Sequence, residues 1–417
     1  MQRRVVITGM GCVSPNGIGN EAFTKAALAG TSGVGKITHF DASEIPVQIA
    51  GEVRGFDELA WVDKKERRNV GRVLPLAIAA ATEAFADAGI NIDSLPLAER
   101  QRTGVILGTG GGAQEFTEEQ YRIFHHGLFK QMSAHCIPTG VMGTFSSDIS
   151  IRFGLRGASH VVTTGCTSST DAFGYAYRQI RGGRLDAALT GGADAPIALG
   201  IMKGFVLMKI LTDTWNADPE RGSRPFNADR DGFVLAEGAW MFVVEEMEHA
   251  RARGAKIYAE VAGYGSTCEA YHRVRMLECG EESARAIELA MREAGITPAN
   301  VDYANLHGTS TQLNDRIETR ALKLALGEER AKQVPMSAIK SQIGHPQGAS
   351  GAAGIAATLV AMQSGQIPPT ANLEKPDPEC DLDYVPEAGR KVNIEHAVCN
   401  CIAFGSKNSA LVLSRVA

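Results

Sequence analysis

The sequence has no apolar stretch approaching the ~20 residues that a membrane-spanning helix needs, so we expect no membrane span. It also has no strong charge excess: the formal net charge is -5, and this balance gives no reason to expect a nucleic-acid partner. Its eight cysteines are scattered, without a Cys-x-x-Cys pair. In a chain of 417 residues this predicts reduced thiols in a cytoplasmic protein rather than a disulfide framework.

Clustered metal ligands are equally scarce. Cys399 and Cys401 form one isolated pair, and their spacing is wrong for a zinc knuckle. We therefore expect no metal site.

Glycine, in contrast, is abundant, with 46 residues that suggest many tight turns between strands and helices. Strand-like and helix-like runs alternate, which predicts an α/β fold. The predicted strands are Val5–Thr8, Val105–Leu107, His160–Thr163, Ala187–Thr190, Lys256–Val261, Tyr303–Leu306 and Met336–Ile339. The predicted helices are Leu74–Ala88, Thr170–Arg181, Ser283–Ala294 and Ala349–Met362.

The order of these elements repeats in the second half of the chain, which indicates an internal duplication joined near residues 245–256. We predict one half at 1–250 and the other at 251–417. Cys166, His307 and His345 each follow a predicted buried strand. Since ligands of α/β folds lie at the carboxyl ends of strands, these three residues are expected to meet in one site.

Cys166 lies in a segment, TTGCTSS at 163–169, that joins a strand to an amphipathic helix. A helix N-terminus offers unpaired N–H groups and a positive dipole end, which predicts a lowered thiol pKa and a nucleophile. Taken alone, the residue could equally be a small buried apolar side chain. His307 and His345, each at a strand end, are of the residue type that most often moves protons near neutral pH.

Six motifs together resemble one family, the β-ketoacyl-acyl carrier protein synthases of the thiolase fold, in particular their two-histidine group and the ketosynthase subunits of type II polyketide synthases. The motifs are GCTS at 165–168, SRPF at 223–226, DRDGFV at 229–234, HGTST at 307–311, KS with GH at 340–345, and DP with DLD at 377–383. The resemblance covers essentially the whole chain. It implies two duplicated βαβαβαββ halves in a five-layered αβαβα architecture.

The resemblance also implies roles for the matching residues. Cys166 would carry the acyl chain as a thioester, and His307 and His345 would promote loss of CO₂ from a malonyl thioester. Lys340 would hold the histidines electrostatically, and Phe404 would supply an oxyanion-hole N–H and act as a gate. Thr309 and Thr311 would bind the phosphopantetheine arm of the carrier protein, with no other cofactor, while Asp315 and Glu318 occupy the family's acidic positions.

The chain departs from this family's usual pattern at several positions. Its C-terminal loop reads IAFGSKN at 402–408, with two glycines fewer than the usual FGFGGTN. Gly354 replaces a frequent Glu, and the TGCT segment at 164–167 is more typical of polyketide ketosynthases. Gly111 stands where medium-chain enzymes carry a bulky pocket residue, which suggests a more open acyl pocket. These differences point to an unusual acyl substrate, in fatty-acid or in polyketide or polyene synthesis.

A basic cluster of Lys64, Lys65, Arg67 and Arg68, together with Lys209, is either a solvated surface or, given the resemblance, a docking surface for an acidic carrier protein. The resemblance further implies a homodimer, or a heterodimer with a chain-length partner.

Two other functions remain open at this point. Cys401 could mimic the second cysteine of a thiolase, although His345 and Lys340 favour decarboxylation. A non-catalytic chain-length subunit would lack the nucleophile, and Cys166 is present.

Overall fold

The architecture was obtained as a computed structural model, which describes residues 3–386, 388–405 and 407–416. The strands are β1 (Val5–Ser14), β2 (Gly17–Ile18), β3 (Gly35–Lys36), β4 (Ile49–Ala50), β5 (Thr103–Gly108), β6 (Ser159–Val162), β7 (Ala187–Asp194), β8 (Gly238–Glu246), β9 (Ala259–Cys268), β10 (Tyr303–Asn305), β11 (Met336–Ser337), β12 (Gln366–Ile367), β13 (Arg390–Lys391), β14 (His396–Ala403) and β15 (Lys407–Ser414).

The helices are α1 (Asn20–Ala29), α2 (Lys64–Arg67), α3 (Val73–Asp87), α4 (Leu97–Arg102), α5 (Gln114–His125), α6 (Cys136–Gly140), α7 (Thr144–Phe153), α8 (Ser168–Arg181), α9 (Leu199–Met208), α10 (Met247–Ala252), α11 (Glu281–Ala294), α12 (Gln312–Leu326), α13 (Glu328–Ala331), α14 (Lys340–Ile343) and α15 (Ser350–Ser364). Among the described residues, no helix is both long and apolar enough to cross a membrane.

The sheet repeats one strand pattern twice. The first half has the order β6-β5-β7-β8-β1, and the second half has the order β11-β10-β14-β15-β9. In both halves the first three strands of this order are parallel to one another. The fourth strand is antiparallel to both of its neighbours, the third and the fifth. The halves meet where β1 and β9 pair briefly, at Val6–Glu260 and Ile7–Ala259. The predicted duplication is confirmed.

Helices complete a five-layered αβαβα arrangement. Helices α3 and α7 pack on the strands of the first half, and α11 packs on those of the second half with α12 against it. Between the two halves lie α8 and α15, each in contact with strands of both. Every residue of α15 from position 350 to 362 is buried, so the helix is enclosed on all faces, as its predominantly apolar sequence allows.

Glycines inside β1 and β9 allow the outer helices to approach closely. A Cβ atom added at Gly9 or Gly11 would lie 2.2 or 1.9 Å from carbonyl oxygens of α3. At Gly263 and Gly265 it would lie 2.1 Å from carbonyl oxygens of α11. The predictions that these strands end before their glycines are therefore wrong: each strand continues, and the missing side chains make room for a helix.

The same topology positions the candidate residues. Cys166 follows β6, His307 follows β10, and Lys340 and His345 follow β11. The two central helices start nearby, α8 two residues after Cys166 and α15 five residues after His345. The carboxyl ends of three strands, one from the first half and two from the second, and the N-termini of two helices thus converge between the halves.

Candidate active site

A sharp turn presents Cys166 between β6 and α8. Gly165 has φ of 75°, in the left-handed region that favours glycine. The turn is held by the N–H of Thr164, which donates to Ser168 Oγ at 2.9 Å, and by Thr164 Oγ1, which donates to the buried carboxylate of Asp171 at 2.5 Å. The backbone turn that carries Cys166 is therefore held by hydrogen bonds within the protein.

The structure brings the three predicted reactive side chains together. The sulfur of Cys166 and one ring nitrogen each from His307 and His345 all lie within 4.8 Å of one another. The two imidazole rings are perpendicular, at 89°, with centroids 5.4 Å apart. Lys340 Nζ lies 3.4 Å from His307 Nδ1. All four residues are at most 5% exposed.

Hydrogen bonds fix the tautomer of each imidazole. His345 Nδ1 accepts the backbone N–H of Gln347 at 3.1 Å, and Ser350 Oγ lies 3.0 Å from the same nitrogen. His307 Nδ1 faces the Lys340 ammonium and the Cys401 thiol, each at 3.4 Å. Since Nδ1 is the acceptor in both rings, a neutral ring carries its proton on Nε2. Two Nε2–H donors are thereby left for a ligand in the cavity.

Burial keeps both imidazoles neutral. It lowers the pKa of His307 well below its usual value, and the nearby Lys340 and His345 lower it further. Burial and Lys340 have the same effect on the pKa of His345. At neutral pH both rings are therefore hydrogen-bond donors rather than cations.

The thiol differs from the sequence-based expectation of a lowered pKa. Burial raises the pKa of Cys166 to about 11, despite opposing effects of the Lys340 charge and of the N–H groups of Phe404 and of Cys166 itself. Desolvation of a thiolate outweighs the helix N-terminus here. The resting residue is therefore a neutral thiol at neutral pH.

We expect the alkylation rate of Cys166 by iodoacetamide to rise about tenfold per pH unit from pH 7 through 9, without the plateau of an ordinary thiol, because the thiolate fraction keeps increasing below a pKa of about 11. Lys340→Met should slow alkylation further, since the ammonium lowers this pKa. Peptide mass spectrometry gives both rates, with the exposed Cys268 as the internal control. A plateau below pH 9, or faster alkylation in the variant, would contradict this account.

Two buried carboxylates hold the segment that carries His307. Glu318 accepts the N–H groups of His307 at 2.7 Å and Gly308 at 2.8 Å. Asp315 accepts the N–H of Thr309 at 3.1 Å and pairs with Arg230 at 3.2 Å. The acidic positions expected from the sequence thus act on the backbone of the histidine loop.

A cavity of about 320 Å³ opens above the cluster. It is lined by Cys166, Met208, Ile210, Phe233, Val274, Arg275, Met276, His307, Thr309, Thr311, Leu313, Asn314, His345, Ile402, Ala403 and Phe404. The predicted arm-binding threonines lie in its wall, with their hydroxyls 2.9 Å apart. Phe404 also lies there, as a gate would require.

Gly111, in contrast, does not line this cavity. Its N–H donates to Asp194 at 3.0 Å, and an added Cβ would lie 2.5 Å from Gln114 Oε1. Its neighbour Gly112 borders a separate cavity of only about 20 Å³. An acyl pocket at Gly111 stays a prediction, since the described cavity does not extend to it.

The predicted basic residues fall into two groups. Lys64, Lys65 and Arg68 are exposed on and beside α2, while Arg67 is half-buried against Glu58. None of these lines the Cys166 cavity. Lys209 is exposed at the end of α9, between two residues of the cavity wall.

Sequence reasoning missed most of the cavity wall and one contact of the histidines. Ser350 contacts His345, and Arg275 and Met276 border the cavity from the loop between β9 and α11. The available signal for the loop was an arginine between apolar residues, VRM at 274–276, in an otherwise polar segment.

A buried thiol and two imidazoles are also ligand types of zinc. The charge of Lys340, 3.4 Å from His307, opposes a cation at this point. We therefore favour chemistry by the side chains themselves.

Comparison with known proteins agrees with this arrangement. Residues 2–250 match the family "Beta-ketoacyl synthase, N-terminal domain", and residues 258–374 match its C-terminal domain family. A 3-oxoacyl-[acyl-carrier-protein] synthase 2 of Vibrio cholerae is 41% identical over 417 residues, covering 100% of both chains.

Two solved structures, each covering 100% of both chains, superpose with a TM-score of 0.91. One, at 31% identity, is a type II polyketide synthase acyl-carrier protein in complex with its ketosynthase bound to the hexaketide. The other, at 33%, is the ishigamide ketosynthase/chain length factor. With a cysteine and two neutral histidines at the meeting point of its duplicated halves, the chain belongs to the β-ketoacyl synthase family and is an acyltransferase of the condensing type.

Proposed function

We propose that this synthase transfers an acyl chain to Cys166 and condenses it with a malonyl unit on an acyl carrier protein, giving a 3-oxoacyl-carrier protein and CO₂ in fatty-acid or polyketide biosynthesis. The observation that carries the proposal is the pair of neutral imidazoles beside the thiol, each with Nδ1 occupied and Nε2 available as a donor. That arrangement suits stabilisation of an enolate.

In the first half-reaction the Cys166 sulfur attacks the acyl thioester carbonyl. A C–S bond forms to Cys166, the bond to the carrier arm breaks, and the thiol proton ends on the departing arm sulfur. The N–H groups of Cys166 and Phe404, both of which lower the pKa of the Cys166 thiol, would hold the oxyanion. One such donor contributes about 3–4 kcal/mol to transition-state stabilisation.

In the second half-reaction the malonyl carboxylate leaves as CO₂. The electron pair of the broken C–C bond passes into the thioester, and His307 and His345 donate hydrogen bonds to the enolate oxygen. The enolate carbon then attacks the acyl carbonyl on Cys166, a new C–C bond forms, and the Cys166 sulfur leaves as a thiolate that takes up one proton from solvent. No strong base is required, which fits two histidines whose pKa values are lowered.

The thiolase alternative has less support. Cys401 lies on the Nδ1 side of His307, away from the nitrogen available to a substrate, and also 3.2 Å from the carbonyl oxygen of Cys166. This is the position of a residue that supports the site rather than of a second acid or base. A purely structural partner subunit is disfavoured by the complete set of reactive side chains.

Docking of the carrier protein is assigned to Lys64, Lys65, Arg67, Arg68 and Lys209, with Thr309 and Thr311 along the arm. The exposed cations are suited to an acidic partner despite the net charge of -5. The ketosynthase whose solved structure holds an acyl-carrier protein has a TM-score of 0.91 to this chain.

A second subunit is proposed at the free side of β6, the last strand of its half-sheet. Nearby elements expose large apolar side chains, namely Tyr121, Phe124, Leu128, Phe129, Ile137, Val141 and Ile151. Such a surface is typical of an interface. The occupant is a second copy or a chain-length partner, since the ishigamide ketosynthase occurs with a chain length factor.

The division into halves at 1–250 and 251–417 is proposed as well. It is supported by the identical strand orders and by family matches that end at 250 and begin at 258. The first half carries Cys166, and the second carries both histidines.

Intact-protein mass spectrometry with a panel of acyl-carrier proteins tests the reaction. We expect the mass of the starter on the chain, followed by 3-oxoacyl product and CO₂ after addition of malonyl-carrier protein; the most efficient starter indicates the pathway. In a parallel experiment the chain is given 3-oxoacyl-CoA and free CoA. Cleavage of that substrate, without acylation by any carrier-bound chain, would reject the proposal in favour of a thiolase.

A further inference from the structure

The solvent exposure of the lining residues increases from the floor of the Cys166 cavity to its mouth. Cys166, His307 and His345 are at most 5% exposed, whereas Met208 in the same cavity wall is 38% exposed. Arg275 is also exposed. Together with Met208 it marks the mouth, and the reactive atoms mark the floor.

Arg275 is the one permanently charged side chain among the described residues that line this cavity. The other lining residues are apolar, hydroxyl or amide side chains, the thiol and two neutral imidazoles. Arg275 has no carboxylate within 4.0 Å in the part of the chain that the structure describes. A guanidinium in this position is available to an anion that enters from outside.

The backbone around Arg275 is held in place. The N–H groups of Val274 and Arg275 both lie 3.0 Å from His272 Nδ1, and the N–H of Leu277 donates to the Glu269 carboxylate at 2.8 Å. The next residue, Met276, is buried against Ile317 and Ile402. The hydrogen bonds hold the loop in its own conformation, and Met276 attaches it to the cavity wall immediately after the arginine.

The substrate arm carries its charge at the matching end. In a phosphopantetheine thioester the sulfur reacts at one end, and a phosphate joins the arm to the carrier at the other. We propose that the guanidinium of Arg275 binds this phosphate at the cavity mouth while the thioester lies against Cys166. Lys209, exposed between Met208 and Ile210 of the cavity wall, adds a second positive charge near the mouth. This assignment rests on the proposed function, because it requires an arm-bound substrate.

The test compares two small substrates that differ only in the phosphate: malonyl-pantetheine and malonyl-4′-phosphopantetheine. With wild type we expect the phosphorylated thioester to be decarboxylated with a kcat/KM about tenfold higher, which corresponds to one partly exposed charge-assisted contact. Arg275→Gln should abolish this difference by lowering kcat/KM for the phosphorylated thioester selectively, and Arg275→Lys should restore part of it. The difference should also shrink as the salt concentration rises.

Arg273→Gln is the matched control, since Arg273 is exposed on the same loop but does not line the cavity. It should behave like wild type with both small substrates. If Arg275→Gln lowers kcat/KM equally for both, the residue shapes the cavity and the phosphate assignment is wrong. Malonyl-carrier protein is measured as a third substrate. If Arg275→Gln lowers kcat/KM for this substrate alone, the phosphate assignment is also wrong, because Arg275 then contacts the carrier's surface. If wild type decarboxylates none of the three thioesters, the proposed function itself fails.

Discussion

Cys166→Ala is expected to abolish acyl loading and to lower the rate of condensation by about 10⁴-fold or more, while decarboxylation of malonyl-carrier protein continues. The variant has no sulfur to form the thioester. Its two imidazoles are untouched, because both are fixed through Nδ1 by contacts to Lys340 and Gln347 that do not involve the thiol. Intact mass and CO₂ release, measured on the same sample, separate the two half-reactions.

Cys268→Ala is the matched control, because Cys268 is an exposed cysteine outside the cavity. It should keep wild-type loading and condensation. If Cys166→Ala still gains the acyl mass, the chain is carried by another residue, and Cys401 would be the first to examine. If decarboxylation is lost together with loading, the thiol takes part in both half-reactions and the separation proposed for the site is wrong.

His345→Ala should give the opposite pattern. Removal of one of two enolate donors is expected to slow decarboxylation by about 10²–10³-fold. Loading of Cys166 should be reduced far less, because the proposed donors to the oxyanion of that step are the N–H groups of Cys166 and Phe404 rather than the imidazoles. His307→Ala should show the same selectivity, and the double variant should lose less than the product of the two single losses, since the donors share one oxygen.

His345→Gln tests whether the lost function is hydrogen-bond donation, because its side-chain amide can donate and should recover part of the decarboxylation rate. His135→Ala, at an exposed position outside the cavity, is the control for a generic histidine substitution. Equal losses of loading and decarboxylation in His345→Ala would show that the residue acts in a step common to both half-reactions.

Strong local patterns predicted the elements that carry the site. The Ala-rich run at Leu74–Ala88 and the strand before Cys166 both form close to their predicted bounds. The strand ends predicted before the glycines of β1 and β9 were wrong. A single sequence does not distinguish a glycine that ends a strand from one that lets a helix pack closely on the strand. The distinction depends on α3 and α11, which lie far away in the chain.

Cys166, His307 and His345 were predictable as a group because each follows a strand of a repeated α/β fold, in which ligands lie at the carboxyl ends of strands. The expectation that all three strands are buried is wrong for β6, whose residues are half-buried or exposed. The direction of the Cys166 pKa shift was not predictable. The sequence shows the helix N-terminus that lowers this pKa, but the burial that raises it to about 11 arises only when the two halves close over the thiol. Arg275 was missed for a similar reason, since its loop borders the cavity only through the packing of Met276 on Ile317 and Ile402.

Because the site is divided between the two halves, activity requires residues of both and can be used to detect the association of two separate fragments. The nucleophile and its helix belong to one half and both imidazoles to the other, so neither fragment alone contains a working centre. The connecting segment includes Gly254, a solvent-exposed residue in the left-handed region with open space around its Cα. A chain cut there and expressed as two polypeptides would show activity only after reassembly, without any added fluorophore or tag.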